Sequence, residues 1–251
     1  DIETHRRYLI DAFHSRRKLR QKGVVVNFDA ADFDLDTEFF KIGNGSLGGK
    51  ARGLAYMSSI LHHKSNLHAK FGGVSIGIPQ TLVITTQGFE AFVENNDLRP
   101  LSKMEIADEK VAQAFLDAEF PEWLENKLRI YLSHYQYPLA VRSSSLLEDA
   151  QYQAYAGLYR TYMLPNDDPD INVRLNQLIT AVKLVWASTY FQSPKAFSKR
   201  VGQRTEEEQM AVMIQKLVGK PYGKYFYPAI SGVAQSYNYY PFSKMKPEDG
   251  I

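Results

Sequence analysis

"PLAVRSSSLLEDAQYQAYAGLYRTYMLPN", residues 138–166, starts as a strand and then breaks the pattern of one. Leu139, Ala140 and Val141 are apolar, yet Arg142 follows them and three serines follow Arg142. A guanidinium leaving a buried strand end needs a partner, because an unpaired buried charge is costly. Glu148 or Asp149, across the following turn, would supply one within the segment. A phosphate would supply another, since the planar fork of arginine donates two parallel hydrogen bonds. Residues 138–166 by themselves leave both partners open.

A second unusual stretch lies upstream. "GNGSLGGKARG", residues 43–53, holds five glycines and one lysine ahead of a helical pattern. The Walker A loop requires a glycine where Asn44 stands and a hydroxyl where Ala51 stands, so both of its anchors fail. Gly43, Gly45 and Gly48 satisfy G-x-G-x-x-G, but the ribose-binding acid expected about 20 residues on is absent from "HHKSNLHAK". The valine and later strand lysine of the protein-kinase pattern are also missing. What remains is physical: glycines let a backbone approach an anion and turn its N–H groups outward. The following helix adds unpaired donors and the positive end of its dipole, where Lys50 is poorly placed unless an anion joins it. An ordinary glycine turn with an exposed lysine is the plain alternative.

Around these two stretches the pattern is mixed. Residues 3–22 read as a basic helix closed by Gly23, with Tyr8, Leu9, Ala12, Phe13 and Leu19 as an apolar stripe. Its arginines and lysines are read foremost as a solvated face, with an acidic domain or nucleic acid as the sharper alternative. A short strand near "VVVNF" precedes an acidic, aromatic linker. Leu54, Met57 and Leu61 mark one helix face, and "IPQTLVITT" (78–86) reads as a strand whose Thr86 caps the next helix. Helices are expected over 107–118, 121–134 and 170–191, with a shorter one around "PKAFSKRVG". The end reads as two strands, 210–218 and 229–240, joined by "GKPYGKYFYP". Helices and strands alternate irregularly, so the fold class is α+β.

Composition limits the chemistry. The 251 residues carry 30 basic and 28 acidic side chains, a balance that does not call for a nucleic-acid partner. With no cysteine, thiol chemistry, zinc ribbons and disulfides are excluded, which fits a cytoplasmic setting. No run approaches the length of a membrane span, and no signal peptide is visible. His62, His63 and His68 form a candidate metal group, but on a polar helix end they read as solvated. The absence of an initial methionine and the ending "KPEDGI" suggest a piece of something longer.

"GGKARGLAYM", "IPQTLVITTQGF", "LAVRSSSLLEDAQYQAYAGLYRTYMLPN" and "MAVMIQKLV…ISGVAQS" follow one another in an order that resembles one family. It is the N-terminal nucleotide-binding domain of phosphoenolpyruvate synthase and pyruvate phosphate dikinase. The resemblance runs from about Phe39 to the end of the chain. It implies an ATP-grasp-like, two-lobed nucleotide-binding domain truncated on its C-terminal side. The division it suggests is 1–38 as a helix and linker outside the resemblance, 39–166 as the first lobe, and 167–251 as the incomplete adenine-side lobe. By the same resemblance, Gly48 and Gly49 lead into the phosphate-contacting Lys50, and Arg142 stands beside it. Gly157 and Thr161 fall in a phosphate-side loop, and Gln215, Lys216 and Leu217 lie on the strand facing adenine.

The implied reaction passes a phosphoryl group from ATP, through a histidine on a separate domain, to pyruvate or a similar acceptor. Mg2+ ligands are expected beyond Ile251, and the phosphohistidine and pyruvate-binding domains downstream in the same parent chain. The fragment alone is expected to be inactive. Two departures, Ser145-Leu146-Leu147 after the serine pair and Arg160 before Thr161, suggest a divergent branch and leave the acceptor open. The alternative class is a non-catalytic nucleotide sensor or an adaptor that uses the basic helix.

Overall fold

The computed structural model describes residues 23–29, 37–63, 72–145, 157–202 and 208–234, with Ile2, Glu3, His5, Arg6, Tyr8, Lys70, Thr205, Tyr237 and Lys246 as single positions. Contacts divide the chain into two compact units, 1–216 and 217–251. The expected lobe boundary at 166/167 falls inside the first unit.

The first unit is built on one mixed sheet. Its strands are β1 (Val26–Asn27), β2 (Phe39–Ile42), β3 (Thr81–Ile84), β4 (Leu139–Ser145), β5 (Thr161–Leu164) and β6 (Met210–Lys216). Their spatial order is β1-β2-β3-β6-β4-β5. The first three run parallel, and every later pairing is antiparallel. The last strand of this sheet in chain order is therefore inserted between β3 and β4. The helices are α1 (Gly48–His63), α2 (Thr86–Asn95), α3 (Asp108–Asp117), α4 (Glu122–His134), α5 (Ile171–Ala187) and α6 (Gln192–Val201). The class is α+β, as the irregular alternation implied.

Alternation along the strands explains the two-sided core. Phe40, Ile42, Leu82, Ile84, Leu139, Val141, Val212 and Ile214 point to one face, where Phe89, Phe92, Phe115, Leu128, Leu178 and Trp186 of the helices cover them. Phe39, Val83, Ala211 and Met213 point to the other face, against Ala51, Leu47 and Leu54 at the start of α1. The apolar run Met210–Ile214 of β6 follows from this, since a central strand is buried on both sides.

Three sequence expectations change. Met57 is 50% exposed, and α1 instead turns Ala51, Leu54, Ala55 and Ser58 inward, a face displaced by about one residue. Thr86 is the first residue of α2 and does not cap it; the N-cap position is Thr85, and its side chain makes no capping bond. Among the described residues of 229–240 there is no strand. The Tyr-rich connector itself forms a hairpin in the second unit, β7 (Lys220–Tyr222) with β8 (Tyr225–Tyr227), across a two-residue Gly223-Lys224 turn. Of the basic N-terminal helix, Ile2, Glu3, His5, Arg6 and Tyr8 are helical, and the rest of 3–22 lies outside the described residues.

Candidate functional site

The glycine loop, residues 43–47, is tied down by the start of α2. The Ser46 N–H donates to Thr86 Oγ1 at 3.1 Å, and the Asn44 N–H donates to Gln87 Oε1 at 2.6 Å. The Thr86 N–H returns a bond to the Ser46 carbonyl at 3.0 Å. Gly48 N–H donates to Ser46 Oγ at 3.1 Å. These donors are used inside the protein, so the loop does not present all its N–H groups outward as its composition suggested. Lys50 is the third residue of α1, and the first turn of that helix holds no acidic residue. Its ammonium therefore sits against the positive end of the dipole, as expected.

A second set of contacts joins this helix to β4. The Ser144 hydroxyl donates to the Leu47 carbonyl at 2.8 Å and accepts from the Ala51 N–H at 3.0 Å. Gly48 has φ +75°, and a Cβ there would lie 1.5 Å from the Ser144 carbonyl oxygen. Only a glycine permits so close an approach of backbone to backbone. Lys50 Nζ then reaches Ser143 Oγ at 3.4 Å. The lysine of one segment and the strand carrying Arg142, 92 residues on, thus meet at the C-terminal part of β4.

Arg142 is half-buried. It pairs across the ladder with Thr161 of β5 on one side and Met213 of β6 on the other, so these side chains share a face. Its guanidinium lies 3.5 Å from Gln215 Oε1, and Gln215 Nε2 donates to Thr81 Oγ1 at 3.2 Å. A polar line, Thr161–Arg142–Gln215–Thr81, therefore runs along the α1 side of the sheet. The sequence-predicted carboxylate partners, Glu148 and Asp149, lie outside the described residues.

Gly48, Gly49 and Lys50 lie at the start of α1, whose lysine reaches Ser143 of β4, and Arg142, Thr161 and Gln215 lie along the polar line. Gly157 is exposed in the approach to β5. Lys216 points to the opposite face by alternation, and its ammonium lies 4.8 Å from the centroid of the Tyr137 ring. Because β6 is flanked by strands on both sides, its backbone is engaged in ladders as far as Lys216. Leu217 opens the second unit. His62 is not simply solvated: its Nε2 lies 2.7 Å from Glu38 Oε2, which also accepts from Ser58 Oγ at 3.4 Å. His68 is outside the described residues. Among the described residues, no group of three or more His, Asp or Glu is placed to hold a metal ion.

Sequence reasoning missed four contributors: Ser143, Ser144, Thr86 and Gln87. The serine run was visible as a turn, and the threonine as a cap. What hid their roles is that each acts on a segment at least 40 residues away.

Comparison with known proteins bears on this arrangement. The family model described as pyruvate phosphate dikinase, AMP/ATP-binding domain, matches residues 44–250. The chain belongs to that family. Among its relatives is a protein of Bacillus subtilis (strain 168) named Uncharacterized phosphotransferase YvkC, 27% identical over 145 residues. That match covers 56% of this chain and 16% of the relative. Another is Rifampicin phosphotransferase of Bacillus cereus, 23% identical over 202 residues, covering 74% of this chain and 20% of the relative. The chain thus spans at most about a fifth of these relatives' length. The match to the pyruvate phosphate dikinase AMP/ATP-binding family takes in the glycine loop from Asn44 onward, the Arg142 strand and the β6 strand. It also makes ATP the ligand to weigh against the polar line. Among the described residues no helix is long and apolar enough to cross a membrane.

Proposed function

We propose that this chain is the ATP-binding portion of a phosphotransferase in which a histidine on another domain carries the phosphoryl group to pyruvate or a similar acceptor. The observation that carries the reading is the meeting of Lys50 with the Arg142 strand through Ser143. An ammonium that reaches Ser143 and a guanidinium from the neighbouring residue of the same strand, with Thr161 directly across from the arginine, suit a polyphosphate. The two-lobed ATP-grasp arrangement is part of the same proposal.

Catalysis of phosphoryl transfer is largely positioning and neutralisation of charge on the equatorial oxygens. Lys50 would meet that charge from the start of α1, and Arg142 from the strand, with its fork held beside Gln215. Gln215 orients the guanidinium through its carboxamide oxygen while its amide group is anchored on Thr81. The described residues offer hydroxyls, an amide and cations at this point, a donor set that fits phosphate oxygens and not a divalent cation. Mg2+ ligands accordingly belong to the proposal only as residues beyond Ile251.

Phosphorylation of the carrier histidine in the full-length protein provides the test. Lys50→Ala and Arg142→Ala should each lower its rate by about 10²-fold or more, the scale of losing one charge-stabilising donor. Wild-type rates in both variants would refute the assignment.

A further inference from the structure

Ser144, adjacent to Ser143 and two residues beyond Arg142, makes contacts that neither a buried strand nor a turn explains. Ser144 is fully buried, yet its hydroxyl is committed outside its own sheet. It donates to Leu47, the residue before α1, and accepts from Ala51, the fourth residue of α1. One oxygen thereby spans the first turn of the helix, and Lys50 lies inside that span. The Gly48 approach to the Ser144 carbonyl fixes the same turn from below. Thr86 and Gln87 hold the loop on its other side.

We propose that Ser144 is a positioning residue that sets where Lys50 delivers its ammonium, so that its contribution to nucleotide binding is exerted through Lys50. The inference rests on the reading of Lys50 as a phosphate-binding cation. A lysine reaches its target on a flexible four-carbon stem, so the position of its Cα decides where the ammonium can go. A group misplaced by about 1 Å can lose on the order of 10²-fold in function even when its chemistry is intact. In Ser144→Ala the Ala51 N–H and the Leu47 carbonyl lose their shared partner. The first turn of α1 can then shift along β4 while the sheet stays paired.

The test is a double-mutant cycle in ATP affinity, measured by calorimetric titration of ATP into the full-length protein. Ser144→Ala should weaken binding by about tenfold, with a thermal midpoint lowered by roughly 5 °C or less. In a Lys50→Ala background the same change should cost less than about twofold, because the group it positions is gone. Equal losses in both backgrounds would overturn the proposal while leaving the role of Lys50 intact. A Lys50→Ala protein that binds ATP as the wild type does would instead overturn the reading beneath it. Ser144→Cys, similar in size but weak in hydrogen bonding, serves as the second variant should the alanine protein not fold. Its affinity should fall between wild type and Lys50→Ala, and wild-type affinity would count against Ser144.

Discussion

Two glycines five residues apart should respond to alanine with opposite signs. At Gly48 the backbone is left-handed and a Cβ would fall 1.5 Å from a carbonyl oxygen of β4. No side chain can move to relieve that collision, so either α1 or β4 must shift. Left-handed strain of about 1–2 kcal/mol adds to overpacking of about 1–3 kcal/mol, giving a loss of roughly 2–5 kcal/mol for Gly48→Ala. Gly53 lies within α1, is exposed, and would place its Cβ in open space. Gly53→Ala should therefore stabilise by about 0.5–1 kcal/mol, through helix propensity and a less disordered unfolded chain. Urea unfolding of the two variants checks both signs. Composition alone does not separate these glycines: the stretch 43–53 reads as uniformly permissive, and what distinguishes Gly48 is a strand 96 residues further along. The same distance kept Ser144 out of the readable site, whereas Lys50 and Arg142 stood out because a lone charge beside apolar or glycine residues is visible locally.

At the scale of elements, α5 and α6 fasten other helices by their open carbonyl ends. Arg174 of α5 is buried, and donates to the Leu132 carbonyl at 2.9 Å, the Tyr135 carbonyl at 3.4 Å and Asn166 Oδ1 at 3.3 Å. Lys183, further along the same helix, donates to the Leu116 and Ala118 carbonyls at the end of α3 at 2.9 and 2.6 Å. Lys195 of α6 donates to the carbonyls of Leu101 and Met104 at 2.6 and 2.8 Å. These are the acceptors that helix ends leave unpaired, and cations suit them. Replacing Arg174 with Met fills the space but orphans the carbonyls, so a loss of about 2–4 kcal/mol is expected. Lys195→Met, nearer to solvent where water can replace it, should cost about 1 kcal/mol or less. Burial also pushes the Tyr137 hydroxyl up to about 12, and carries Tyr131 well above its ordinary value with help from Tyr137. Both phenols stay protonated in the fold after the unfolded chain has begun to ionise near pH 10. Their contribution is thus complete below pH 10 and lost as pH rises toward 12. Unfolding free energy should fall across that window, and less steeply in Tyr131→Phe. The helices themselves were legible, because α3, α4, α5 and α6 carry strong three- and four-residue apolar spacing. The cation-to-carbonyl fastenings were not, since a lysine that reaches across to another helix reads in sequence as a solvated one.

At the scale of the whole molecule, chain order and spatial order disagree in one place, and that place decides what can fold alone. β6 is the last strand of the sheet to be made, yet it lies between β3 and β4. Every pairing that joins the parallel half, β1-β2-β3, to the antiparallel half, β4-β5, passes through residues 210–216. The sequence exposed β6 as a strand through its apolar run but said nothing of its neighbours, and so allowed a division at 166/167. A fragment of residues 1–166 keeps five strands in two separate groups, each with an open inner edge and without the Met210–Ile214 side chains that pack both faces. It also lacks α5, whose Leu175, Leu178, Val182 and Trp186 belong to the main core. Exposed inner edges pair with other chains when nothing fills them. This fragment should aggregate or remain unfolded, with no cooperative thermal transition by circular dichroism. Residues 1–218, by contrast, retain the whole sheet and both core clusters. That fragment should unfold in one cooperative step, with a midpoint within about 5 °C of that of residues 1–251, a shift of no more than about one or two kcal/mol. A cooperative transition in 1–166, or its loss in 1–218, would mean that the strand inserted last does not hold the two halves of the sheet together.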